Sequence, residues 1–566
     1  MKRNLTILLS VLLLCAAFAC SGTVEAAPTT APSVENDPTS VPAQQPTEAP
    51  AEPTATPEPT ATPEPTATPE PTEAPTPTPA VVYTAGDYSY VLNEDGTAAI
   101  TGYTGSETNL VIASELDGHT VTAVRSKAFY DNRKLEKVEV PDSVKRIGTF
   151  GFGWCTGLRT VSLPEGLETI AEDAFWSCQR LKTVNIPDSV TTLGEGAFFD
   201  CESLKEITLS PDHPLLRVVD GVLFNHVDSV LLWYPVNKSG SQYTVPDGTK
   251  RIGSDAFSYV KCEKIILPES IEELGSSAFS TCNRLKTIYI PSKVSNLDGV
   301  IVSCLNMESV EVSEENATFE SIDGVLFDKT THTLLLYPPV RKDSTYTIPE
   351  GTEVIAISAF YSAKFSEVVI PDSVKVIGSN AFLFCENLKE IVLPEGVETI
   401  EGYAFQYCSS LQRIVLPDTL REVGTSPFLQ CAKLSEIVIS ENHPVFTLIL
   451  GCLVQKDEML LNTCPMGMQE KSLEFPAGIR AIGTNAFKKC KSIEEIVFGE
   501  GLESIGSSAF DGCDNLRRVV LPASLTEIDK TAFNPDKLKN TVFVVAPGSY
   551  AETFCTANGL NIEYAQ

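Results

Sequence analysis

The chain is short of bases, of histidine and of metal-ligand patterns. Its 566 residues carry 42 Lys and Arg against 74 Asp and Glu, a formal charge of −32, with only five His and three Trp. A surface this acidic repels phosphate backbones and anionic lipid heads, which argues against nucleic acid as a partner. No Cys-x-x-Cys occurs, so thioredoxin-like redox chemistry and Cys-rich zinc sites lack their usual spacing. The phosphate loop, Gly-x-Ser-x-Gly and His-Glu-x-x-His are missing too. His119, His213, His226, His332 and His443 stand in no nucleophile–base or ligand spacing. His213 and His443 both precede Pro in equivalent places, and a duplicated loop residue explains them more simply than catalysis. Carboxylates abound, but no pair stands out from a solvated acidic surface. No catalytic, cofactor-binding or metal-binding residue is therefore expected, and the chain does not read as an enzyme.

Long apolar runs are scarce as well. Leu5 to Ala19 follows Lys2 and Arg3 and is too short to span a bilayer, so residues 1–20 read as a secretory signal. Its end, Ala17-Phe18-Ala19-Cys20, is similar to a bacterial lipobox, which implies acylation of Cys20; cleavage after Ala19 or Ala26 is the alternative. A lipid anchor contributes ~0.8 kcal/mol per buried methylene, so several acyl chains would hold the protein at a membrane. Residues 21–80 hold nine acids and no base, and 16 of the 38 prolines lie between Pro28 and Pro79. Glu-Pro-Thr-Ala-Thr-Pro repeats from Glu52, Glu58 and Glu64. Too few apolar side chains exist there for a core, so 21–80 is expected to be a disordered linker. At ~3.1 Å per residue in polyproline II, residues 27–80 reach roughly 170 Å. The remainder keeps 65 acids (74 − 9) and 40 bases (42 − 2), a net of −25.

What is abundant is a repeat. Phe152, Phe175 and Phe198 are 23 residues apart, and Cys155, Cys178 and Cys201 follow each by three. The pair returns at Phe279/Cys282, Phe382/Cys385, Phe405/Cys408, Phe428/Cys431, Phe487/Cys490 and Phe510/Cys513, with Ile301 before Cys304. Phe129, Phe257, Phe360 and Phe533 keep the Phe alone. Within one turn, Ile391 and Leu393 alternate with Val392 as in a strand, and Pro394 ends it because it cannot donate to a ladder. Val397 and Ile400 make a second short apolar step. Ala404-Phe405 is expected in a short helical or 3₁₀ turn, with Phe filling the interior. The ten Cys read as small buried thiols at the turn into each strand.

The pattern Cys-x-x-Leu-x-x-Ile-x-Leu-Pro-x-x-Val-x-x-Ile-x-x-x-Ala-Phe resembles the BspA-like, or Treponema-type, branch of the leucine-rich repeats, from Phe129 to Phe533. The resemblance implies an α/β repeat solenoid, a horseshoe of parallel strands over residues 126–540. It implies an exported cell-surface protein, some relatives being adhesins, with extracellular proteins or glycans as partners and no shared active site.

The period breaks three times. Phe198 to Phe257, Ile301 to Phe360 and Phe428 to Phe487 each span 59 residues. The inserts, near 210–246, 313–349 and 440–476, align as Gly221-Val-Leu-Phe224, Gly324-Val-Leu-Phe327 and Gly451-Cys-Leu-Val454. Two apolar runs around a polar tip read as inserted β-hairpins. Cys452 and Cys464 occupy opposite arms of the third, a disulfide if their Cα atoms lie within about 7 Å. Residues 81–125 lack the repeat and read as an N-terminal β cap with Asp95-Gly96 in a turn. Residues 541–566 read as a C-terminal cap.

One strand position per turn faces out. It is polar early (Glu139, Ser162, Asn185, Thr208) and Val late: Val369, Val392, Val415, Val438, Val497 and Val520. With Glu367, Glu390, Arg413, Glu436, Glu495 and Arg518 beside it, this column is a candidate binding face. The alternative is that Val simply suits a strand and packs on its neighbours.

Overall fold

The computed structural model describes residues 81–565. The expected signal, Cys20 and the 21–80 linker lie outside the described residues. Short parallel strands stack turn upon turn, in two ladders. In the first ladder Lys137–Glu139, Thr160–Ser162, Thr183–Asn185 and Glu206–Thr208 follow one another; in the second, Arg146–Ile147, Thr169–Ile170 and Thr192–Leu193 do. The register advances one repeat per turn, pairing Thr169 with both Arg146 and Thr192. Ile391 and Ile400 point inward from the two strands of one turn, and the bends between strands bury Leu393, Val397, Phe405 and Cys408. The core Phe rings stack along the axis with centroids 4.8–5.8 Å apart. Removing each from water contributes about 1.5–3 kcal/mol.

The Ala-Phe arc is not the helical or 3₁₀ turn expected. Among the described residues Tyr550–Ala557 is the one helix. Along the arc, N–H groups alternate between closing a tight turn and bonding the next repeat. Ala381, Leu383 and Cys385 donate three residues back, to Gly378, Asn380 and Phe382; Phe382 and Phe384 donate to Ala404 and Gln406 one turn on. This alternation needs a left-handed backbone two residues before and two after Phe382 and Phe405. Asn380 (φ 56°), Phe384 (φ 62°), Tyr403 (φ 59°) and Tyr407 (φ 60°) supply it. The arc is thus a third bonded column, and a continuous helix could not make its inter-turn bonds.

The inserts are three-stranded meanders rather than free hairpins. Leu216–Val219, Val222–Asn225 and Val230–Trp233 run antiparallel, and the third strand joins the second ladder by pairing parallel with Arg251–Ile252. Phe319–Leu336 and Phe446–Thr463 repeat this, each with one bulge at the same place. The N-terminal strands Tyr83–Ala85, Tyr88–Leu92 and Ala98–Tyr103 form a fourth copy, bulge included, that pairs parallel with His119–Val124. The solenoid therefore begins earlier than residue 126: Asn109–Val111 already pairs with Lys137–Glu139. Each meander opens a block with its own hydrophobic cluster, and the clusters meet at Trp233, Leu326 and Leu453. At the far end, Val542–Val545, the helix and Asn561–Tyr564 close the first ladder.

Candidate binding face

The Val column is placed by the pleat of the first ladder. In the third block, Glu390–Val392, Arg413–Val415 and Glu436–Val438 are paired in register, so Val392, Val415 and Val438 lie side by side, as do Glu390, Arg413 and Glu436. Arg413 bridges both acids, reaching Glu436 at 3.1 Å and Glu390 on the other side. Val369 pairs instead with Thr347. Val369 is 45% exposed and Val392 55%, while Val415 and Val438 are half-buried.

The six positions do not form one stripe. Val497 and Val520 belong to the fourth block, in a sheet where Glu474 takes the outward position before them. Both are half-buried. Sequence order suggested a single column; the third meander, inserted between Val438 and Val497, divides it. In the first block the same face is polar, with Thr208 Oγ1 donating to Asn185 Oδ1 at 3.0 Å.

Residues that looked chemically active have structural partners. Cys452 and Cys464 are disulfide-bonded, their Cα atoms 4.2 Å apart. Cys464 also stands where other turns have Phe: its N–H donates to Ala486, as those of Tyr234 and Tyr337 donate to Ala256 and Ala359. These three residues lie 23 before Phe257, Phe360 and Phe487, a spacing present in the sequence but masked by the change of residue type. His213 and His443 are buried and bonded on both ring nitrogens, and Asn316 does the same work in the middle meander. Asp173 and Asp255 flank Gly196 where the first block meets the second, and burial pushes both carboxyls up to about 7. No cluster of three or more His, Cys, Asp or Glu that could hold a metal is present among the described residues.

A stack of short parallel strands with buried Leu, Ile and Phe at fixed offsets defines a leucine-rich-repeat solenoid. The chain belongs to the BspA-type leucine-rich-repeat family, whose profile matches residues 122–226, 236–338, 344–447 and 463–563. A leucine-rich cell-surface protein of Faecalibacterium prausnitzii is 22% identical over 86% of this chain and 99% of its own, with a TM-score of 0.32. For a leucine-rich-repeat protein of Bacteroides ovatus the values are 20%, 82%, 99% and 0.31. For the pneumococcal vaccine antigen PcpA they are 18%, 86%, 99% and 0.26. Comparison with curated proteins yields no match.

Proposed function

We propose that this is a non-enzymatic, exported surface protein that binds extracellular proteins or glycans through the outward face of its third block. The observation that carries the reading is the pair of exposed valines, Val369 beside Glu367 on one strand and Val392 beside the charged row Glu390, Arg413 and Glu436 on the next sheet. A rigid sheet that leaves apolar side chains in water next to fixed charges suits a protein-binding surface. Membership of a surface-protein family supports the location, and acylation of Cys20 would tether it.

The rival role is a coat component without a dedicated ligand. The half-burial of Val415 and Val438 favours it, since strand packing alone accounts for them. The test screens the protein against extracellular proteins and glycans, with self-association followed in parallel. Val392, Val415 and Val438 are then changed together to Glu. Loss of a saturable ligand with folding intact supports the binding face. Unchanged binding removes this face, and concentration-dependent assembly with no ligand supports the coat.

A further inference from the structure

The turn face of the first block carries a second, chemically different surface. Its corner positions are left-handed at Phe129, Phe152, Phe175 and Phe198, and many corners along the solenoid carry residues that tolerate this, such as Asp173, Ser177, Asn485 and Ser508. The turn at Phe152 places Phe150 (φ 54°) and Trp154 (φ 60°) at its two corners, as the turn at Phe405 places Tyr403 (φ 59°) and Tyr407 (φ 60°). Bulky rings in that conformation are strained, and what marks the Phe152 turn is the cations that lie beside its rings. Neither ring is needed to fill the interior, because Phe152 already does so, and both are half-buried at the surface.

The rings continue along the face. Tyr130 meets Phe150 at 6.1 Å, Phe150 and Trp154 each meet Trp176 at 5.6 Å, and Tyr130 is 41% exposed. Lys127 Nζ sits 5.7 Å from the Tyr130 ring centre and 5.9 Å from that of Phe150; the Arg133 guanidinium sits 5.4 Å from Trp154. Residues 125–135 hold four bases (Arg125, Lys127, Arg133, Lys134) and one acid (Asp131), and residues 147–158 hold no charge. Around Trp176, residues 170–180 add two acids (Glu172, Asp173) and one base (Arg180), so the three turns hold five bases and three acids, a patch of net +2 on a chain of −32. Within it the Trp154 indole N–H is enclosed and has no acceptor among the described residues.

We propose that this aromatic strip is a docking site for an acidic segment of a partner protein. Carboxylates of the partner pair with Lys127 and share Arg133 with Asp131, which already bonds it at 2.6 Å, and an apolar or aromatic side chain packs on the edge of the Trp154–Trp176 pair. Charge complementarity selects the acidic partner, because the rest of the surface repels it. The ring arrangement selects protein over glycan: the rings contact one another and the cations along the row, whereas sugar stacking needs open ring faces. This site shares no residue with the valine face, so the two readings fail separately.

Two of the three Trp lie in the strip and the third, Trp233, is buried, so intrinsic fluorescence reports on the site. The full chain is titrated with a short labelled peptide alternating Glu and Phe. The comparison probes are a Lys/Phe peptide, a Glu/Ser peptide and an N-acetylglucosamine hexasaccharide. The expected result is saturable, salt-sensitive binding of the Glu/Phe peptide, weakened about tenfold or more in the double variant Lys127→Glu, Arg133→Glu. Phe150→Asn and Trp154→Asn put αL-tolerant residues at the corners, so binding is expected to fall while the melting temperature holds or rises. Equal or tighter binding of the Lys/Phe peptide or the hexasaccharide overturns the proposal. So does the absence of Glu/Phe binding, or its survival in the charge-reversed variant.

Discussion

The thiol of Cys408 donates to the carbonyl oxygen of Phe382 at 3.2 Å, reaching back 26 residues across one turn. Cys155, Cys178, Cys201, Cys431 and Cys513 make the same bond to Phe129, Phe152, Phe175, Phe405 and Phe487 at 3.0–3.2 Å. The repeat Cys therefore ties each turn to the one before it by a bond inside the core.

The first prediction concerns reactivity. The thiolate is the reactive form, and burial pushes Cys155 and Cys513 up to about 12. The twelve free thiols of the described chain, all buried, should resist thiol reagents in native buffer and react fully in guanidinium. Reagent titration under both conditions checks this, and rapid native labelling of most sites would contradict it. Reduction before intact-mass analysis should add two hydrogens, for Cys452–Cys464.

The second prediction separates the bond from the volume. Cys408→Ser keeps a donor of similar size, whereas Cys408→Val removes it. The Phe382 carbonyl still accepts from the Cys385 N–H at 3.1 Å, so its loss is partial. Valine should cost about 1 kcal/mol more than serine, as read from denaturant midpoints.

The repeat, its strands and its core Phe and Cys were legible because burial demands particular residue types at a fixed period. The meander turns were not, because Tyr234, Tyr337 and Cys464 hold the Phe position without being Phe. The left-handed corners escaped for the opposite reason: Asp, Ser, Asn, Tyr and Trp all occupy them, so no residue type marks the geometry. The valine column was legible as a list, yet its division between Val438 and Val497 depends on where an inserted meander sits in space.

The third prediction turns on three equivalent buried residues. His443 Nδ1 accepts from the Val445 and Phe446 N–H groups at 3.2 and 3.1 Å, and Nε2 donates to Pro417 at 2.9 Å. Asn316 reproduces this with Oδ1 toward Thr318 and Phe319 and Nδ2 toward Pro291. His443→Asn should therefore be close to neutral, and His443→Ala should cost about 2 kcal/mol or more. Burial holds both His213 and His443 below 6.5. The unfolded chain then binds more protons, so their contribution is complete above about 6.5 and is lost as pH falls through the folded values. Thermal melts of His443→Asn should show a smaller loss of stability on that acid side.

The last prediction has the opposite sign. Asp173 and Asp255 lie on either side of Gly196, where a Cβ would sit 2.6 Å from Asp173 Oδ1 and 3.8 Å from Asp255 Oδ2. Burial, then Glu172, raises Asp173; burial, then Asp173, raises Asp255; each reaches about 7 from 3.8. The remaining charges are in place nearby: Glu195 is paired with Arg251, and Ser258 donates to Asp255 at 3.3 Å. Here the folded chain holds protons that the unfolded chain releases. The contribution is complete below about 3.8 and is lost as pH rises through about 7. Asp255→Asn removes one of the two charges that must otherwise form beside each other. Its melting temperature should exceed that of the parent at about pH 8 and approach it at about pH 5. An equal fall in parent and variant across that interval would mean that the junction between the first two blocks carries no such pair.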